Sequence, residues 1–142
     1  MKNAYVYIAF VLVLMAVCLS ACAEESTLTV DFDAEPAGKL FSVDLYDGAT
    51  AVCVSASMDF DFKNDIVDSC LVTLVYDSEK SAAAVSEFWE TYSGIENTEV
   101  KGTTVTYNYI IGAGSDRSSK FSGMTTNEVI AEVEKFGGVV RG

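Results

Sequence analysis

Apolar and polar positions alternate along most of this chain, and the alternation gives way twice to helical spacing. "TLTVDFD", residues 27–33, reads as a strand. "LFSVDLY", 40–46, reads as another, with Phe41, Val43 and Leu45 on one face. Asp47-Gly48 then predicts a two-residue hairpin turn, because Gly accepts positive φ. Beyond it, "AVCVSASMDFDF" places Val52, Val54, Ala56, Met58, Phe60 and Phe62 on one face. Cys53, Ser55, Ser57, Asp59 and Asp61 fall on the other. That turn sets Val43 opposite Val52 and Phe41 opposite Val54, so the two apolar faces coincide. After the polar stretch "KNDIVDS", "CLVTLVYD" (70–77) is apolar on both faces and reads as a central strand.

Helical spacing first takes over in "SEKSAAAVSEFWETYSG", with Ser78 or Asp77 as N-cap and Gly94 as stop. Its stripe is Ala82, Val85, Phe88, Trp89 and Tyr92, which at this spacing predicts core packing. Strands near 95–100 and 103–111 follow, joined at Lys101-Gly102, and then a loop, "GAGSDRSSKFSG" (112–123). The chain closes on "MTTNEVIAEVEKFGG", where Thr125 and Glu128 form a capping box and Gly137 the stop. The order β-β-β-β-α-β-β-α predicts an α+β fold: an antiparallel sheet of about six strands with two helices packed on it.

The first residues change this picture. "AYVYIAFVLVLMAVCLSA", 4–21, is uncharged and follows Lys2, which is the layout of a secretory signal. Acidic residues, not a basic cluster, come next. "LSAC", Leu19 to Cys22, resembles a bacterial lipobox in all four positions. The resemblance implies cleavage before Cys22 and a lipid on its sulfur. Residues 1–21 would then be a signal peptide, 22–26 a lipidated tether and 27–142 a single α+β domain. Cys18 would leave with the leader. The implied location is the cell envelope, facing outside the cytoplasm. "SGMTTNEVIAEVEKFGGVV" is in addition similar to the closing helix of YehR-type small lipoproteins, whose activity is unassigned. That likeness implies an envelope lipoprotein and no mechanism.

Composition narrows the chemistry. With 21 Asp plus Glu against 9 Lys plus Arg, the formal charge is −12, which argues against nucleic acid as a partner. The chain has no histidine, so Ser-His-Asp triads, Cys-His dyads and His-containing metal sites are excluded. Cys53 and Cys70, on consecutive strands, predict one disulfide, with free thiols or a redox dithiol as the alternatives. A turn between Asp61 and Phe62 would set the two cysteines opposite each other. Asp59, Asp61, Asp65 and Asp68 could attract calcium, but Lys63 and Asn64 break the EF-hand pattern, and a solvated acidic loop is favoured. "GAGSDRSS" lacks the third glycine of a dinucleotide fingerprint and the ending of a P-loop.

These readings converge on a lipid-anchored extracytoplasmic domain that binds or scaffolds another envelope component. It is expected to be no enzyme and to need no cofactor. Its partners are the membrane, through the lipid, and another envelope protein. A cation-responsive module using the 59–68 loop is one alternative. A carboxylate-dependent hydrolase, which needs no histidine, is the other.

Overall fold

The computed structural model describes residues 23–112 and 120–141. The expected signal peptide, Cys18 and Cys22 lie outside the described residues, as does most of "GAGSDRSS". In chain order the elements are β1 (Glu25–Phe32), α1 (Ala34–Phe41), β2 (Val43–Asp44), β3 (Thr50–Ala51), β4 (Cys53–Lys63) and β5 (Ile66–Tyr76). After these come α2 (Glu79–Glu90), β6 (Ile95–Lys101), β7 (Thr104–Tyr109), α3 (Thr126–Lys135) and β8 (Val139–Arg141). One six-stranded sheet runs β6-β7-β5-β4-β1-β8, with every neighbouring pair antiparallel. The pair β2–β3 forms a separate ribbon. The protein is therefore α+β, as expected, with three helices rather than two. No helix among the described residues is long and apolar enough to cross a membrane.

The third helix, α1, takes in the first two residues of the strand expected at 40–46. Pro36 sits in its first turn, where a missing N–H costs nothing because that group has no helical partner. Ala37 and Phe41, four apart, are its buried residues. The alternation Phe41-Val43-Leu45 concealed this helical pair. The strand at 27–33 begins two residues earlier than expected, at Glu25. Asn64 N–H already donates to the Glu24 carbonyl at 2.8 Å, so the domain's ordered contacts reach into the expected 22–26 tether.

The Asp47-Gly48 hairpin is also corrected. Val43 pairs with Ala51, not Val52, and Asp44 with Thr50. Leu45 N–H donates to the Ala49 carbonyl at 2.8 Å, which leaves a three-residue loop with Gly48 at φ 80°. A register change of one residue moves every side chain to the opposite face. Ala51 and Cys53 are accordingly buried, while Val52 and Val54 are 41% and 39% exposed. A bulge at Val54, between the pairs Cys53↔Tyr76 and Ser55↔Val75, restores the phase. From there Ala56, Met58, Phe60 and Phe62 face inward, as the alternation predicted.

The turn from β4 to β5 is Asn64-Asp65, with Lys63 paired to Ile66. Both turn residues have positive φ, 52° and 61°, which Asn and Asp tolerate better than other side chains. The expected turn between Asp61 and Phe62 does not form, and most of "KNDIVDS" is strand. Cys70 consequently faces Phe60, and Cys53 faces Tyr76. Six positions of β5 separate the two thiols, roughly 20 Å. The expected Cys53–Cys70 disulfide is not formed, and both thiols are free and buried.

The inner face of the sheet and the helices share one core. Val30, Phe60, Val72, Leu74, Val105 and Tyr107 are fully buried in it. The capping box of α3 is present as predicted, with Thr125 and Glu128 satisfying each other's backbone. At its other end, Gly138 N–H donates to the Val133 carbonyl and Gly137 N–H to that of Glu134, the pairing of a Schellman motif. Gly137 supplies the positive φ of 85°. Gly138 allows close approach: a Cβ there would lie 2.8 Å from Val30 Cγ1. β8, an element the sequence reading lacked, then adds to the edge of the sheet beside β1.

Candidate functional site

The three helices do not close completely over the sheet. They leave a cavity of about 410 Å³. Phe32, Met58 and Tyr109 come to it from the sheet. Leu40 and Phe41 come from α1, Trp89 from α2, and Val133 and Phe136 from α3 and its C-cap. Tyr92 and Phe121 complete the apolar wall. A pocket of this size, mostly apolar and lined from several elements, is the usual form of a small-ligand site.

A buried hydrogen-bond chain holds the wall in place. Trp89 Nε1–H donates to the Tyr76 hydroxyl at 3.0 Å, and that hydroxyl donates to the Phe41 carbonyl at 2.9 Å. One tyrosine on β5 thus joins the ends of α1 and α2. Aromatic rings continue the wall. The Trp89 ring centroid is 5.4 Å from that of Tyr92 and 5.5 Å from that of Tyr107. Tyr107 lies 5.5 Å from Tyr109, and Tyr109 5.5 Å from Phe121. Such contacts fix ring orientations by packing and by the ring quadrupoles. Tyr107 Oη is buried without a hydrogen bond of ordinary geometry, the one such side-chain atom among the described residues. Burial raises the Tyr107 and Tyr76 hydroxyls and pushes Tyr109 up to about 12, so all three stay neutral near pH 7.

Among the described residues, charge enters the cavity lining through Lys120 and Glu132. Lys120 Nζ lies 3.0 Å from Glu132 Oε1, and Lys135 Nζ lies 2.9 Å from the other carboxylate oxygen. Hydrogen bonds from Lys135 and then Lys120 hold the Glu132 carboxyl below its ordinary range. It is a fixed anion, not a general acid, and it is the one carboxylate among the described residues that line the cavity.

The residues singled out from sequence are dispersed. Asp59 accepts a hydrogen bond from Thr29 Oγ1 and Asp61 from Ser69 Oγ, both at 2.7 Å, on the sheet face away from the helices. Asp65 accepts from Thr126 N–H at 3.2 Å and so ties the β4–β5 turn to the start of α3. Asp68 lies in the irregular stretch of β5 between Val67 and Ser69. No cluster of carboxylates or thiols placed to hold a metal occurs among the described residues. Burial pushes the Cys53 thiol up to about 11 and the Cys70 thiol higher still, so both resist ionisation and are poor nucleophiles.

Comparison with protein-family models, curated proteins and solved structures finds no match. The cavity therefore stands on its own geometry. Sequence reading assigned the whole α2 stripe to the core. Ala82, Val85 and Trp89 do pack there, Trp89 also lining the cavity, whereas Phe88 and Tyr92 are exposed. Phe121, Lys120 and Glu132 escaped notice altogether. A phenylalanine set among Ser, Lys and Gly in a polar loop was the one available signal.

Proposed function

We propose that this chain is a lipid-anchored, non-catalytic binding domain of the cell envelope. Cys22 carries the lipid, and the cavity takes a ligand, or a side chain of an envelope partner, with an apolar or aromatic body. The observation that carries this reading is the aromatic cavity of about 410 Å³, walled by all three helices and the sheet. The lipobox resemblance supports the anchor. The early start of β1 supports a short connection to it, since Glu25 is three residues past Cys22. A domain so tethered stays within roughly 10 Å of the membrane surface, at ~3.5 Å per extended residue.

Trp89 is the only tryptophan in the chain and lies in the cavity wall, so its fluorescence reports occupancy directly. Small neutral aromatics titrated onto the full chain in detergent should shift its emission saturably. Met58→Phe, which adds bulk at the floor without adding a second tryptophan, should weaken that response to added ligand without unfolding the domain. An unresponsive Trp89 across a panel of neutral and charged aromatics would overturn the cavity as a binding site. Absence of fatty-acid labelling on the wild type, with a mature N-terminus other than Cys22, would overturn the anchor.

A further inference from the structure

Resting on the reading of the cavity as a binding site, we propose that its ligand is an organic ammonium ion, whose seat Lys120 occupies in the free protein. Lys120 Nζ lies 4.4 Å from the Phe136 ring centroid and 5.3 Å from that of Phe121. Both distances are within the ~6 Å reach of a cation–π contact. The same ammonium is 3.0 Å from Glu132 Oε1. Two aromatic rings and one carboxylate therefore meet at a single point on the cavity lining, and an ammonium already sits there. This is the chemistry by which proteins recognise alkylated ammonium groups.

The resident cation is displaceable. The Lys120 side chain is half exposed, and an exposed ion pair contributes little because water competes for both partners. When a ligand ammonium takes the seat, Lys120 swings into solvent and keeps its hydration. The ligand's apolar body then lies along Trp89, Tyr92 and Tyr109, a surface the lysine stem does not supply. An anionic ligand fares worse. It could use Lys120 only by competing with Glu132, which would keep Lys135 as its partner but lie beside a second negative charge. The chain's formal charge of −12 adds to the bias against anions.

The test compares three probes of similar size by Trp89 fluorescence on the full chain: phenyltrimethylammonium, its neutral isostere tert-butylbenzene, and phenylacetate. The ammonium should bind the wild type roughly tenfold more tightly than the neutral probe, as expected of an aromatic seat completed by a carboxylate. Lys120→Met, which keeps the stem and removes the competing charge, should tighten ammonium binding by a further factor of about three to ten. Glu132→Gln should abolish the preference for the ammonium while the neutral probe still binds. Equal affinity for the ammonium and its neutral isostere overturns this inference and leaves the cavity reading standing. Preference for phenylacetate, lost in Lys120→Met, overturns it in favour of an anion site. If none of the probes is bound, both readings fall.

Discussion

Asp59 and Phe60 are neighbours in β4, and they face different surroundings. On the side of Phe60, three helices cover the sheet, and most residues of β1, β4, β5 and β7 that point there are buried. On the side of Asp59, the same strands present Thr27, Thr29, Asp31, Ser57, Asp61 and Thr73, which are exposed or half-buried. Burying a phenylalanine contributes about 1.5–3 kcal/mol, whereas a cross-strand polar pair contributes about 0.2–1 kcal/mol. Stability is therefore concentrated on one face. The cavity lies on that face too, so its aromatic lining is part of the same packed layer that holds the fold together. The side chains that line the cavity are therefore also ones that hold the fold together, and the outer face contributes less to stability.

The largest test of this asymmetry is a pair of substitutions one residue apart. Phe60 is fully buried and packs edge-on to Phe121, with ring centroids 5.1 Å apart. Phe60→Ala should cost about 3–5 kcal/mol in urea unfolding. Asp61→Ala, on the outer face, should stay within about 0.5 kcal/mol. Similar costs for the two would mean that the outer face is also covered. Next in size is Gly138→Ala. A new Cβ would meet Val30 Cγ1 at 2.8 Å and the Phe32 ring and Val133 carbonyl at 3.0 Å, so β1 and α3 would have to move apart. Overpacking of this kind costs about 1–3 kcal/mol. Unchanged stability would show that the α3–β8 junction gives way freely.

The inner and outer faces were legible where the alternation was uninterrupted. From Ala56 to Phe62 every residue faces as its pattern predicted, because a pleated strand has a side-chain period of two and no other. The pattern failed upstream of Ser55. A bulge at Val54 is silent in a binary pattern, since adding one residue to "AVCVS" leaves apolar residues at either phase. It also failed at α1, where Ala37 and Phe41 gave only two helical positions against three alternating ones. The cavity was less legible still. Its charged seat joins Lys120 to residues 12 and 16 positions further on, across a turn and a helix. Only packing of α3 against the sheet brings them together.

The buried thiols offer a test by pH. Burial lifts Cys53 from the ordinary thiol value of 9.0 to about 11, and Cys70 rises further. The unfolded chain therefore releases these protons first. Their contribution to stability is fully present below pH 9 and is lost as pH rises toward the folded values. Stability should fall between about pH 9 and 11 by roughly 1 kcal/mol per pH unit for each thiol. Cys53→Ala should flatten part of that slope, and a slope identical to wild type would contradict the burial of this thiol. Reductant should leave the melting temperature unchanged, since the two cysteines are unpaired; a clear drop would restore the disulfide.

The smallest effect is expected where the outer face makes its best contact. Thr29 and Asp59 are directly opposed on β1 and β4, and Thr29 Oγ1–H donates to Asp59 Oδ1 at 2.7 Å. The geometry is good, and the acceptor is charged. Yet both partners are open to water, which hydrogen-bonds each of them nearly as well when the pair is broken. Thr29→Val keeps the β-branched shape that suits a strand, and Asp59→Asn keeps an acceptor oxygen but removes the charge. A double-mutant cycle isolates the pair from these side effects, provided neither change creates a new contact. The coupling should be about 0.2–1 kcal/mol, and it should shrink in high salt only modestly because Thr29 is neutral. A coupling above about 2 kcal/mol would mean that the pair is desolvated. The outer face would then be covered in the assembled protein, and the contrast between Asp59 and Phe60 would be one of partners, not of burial.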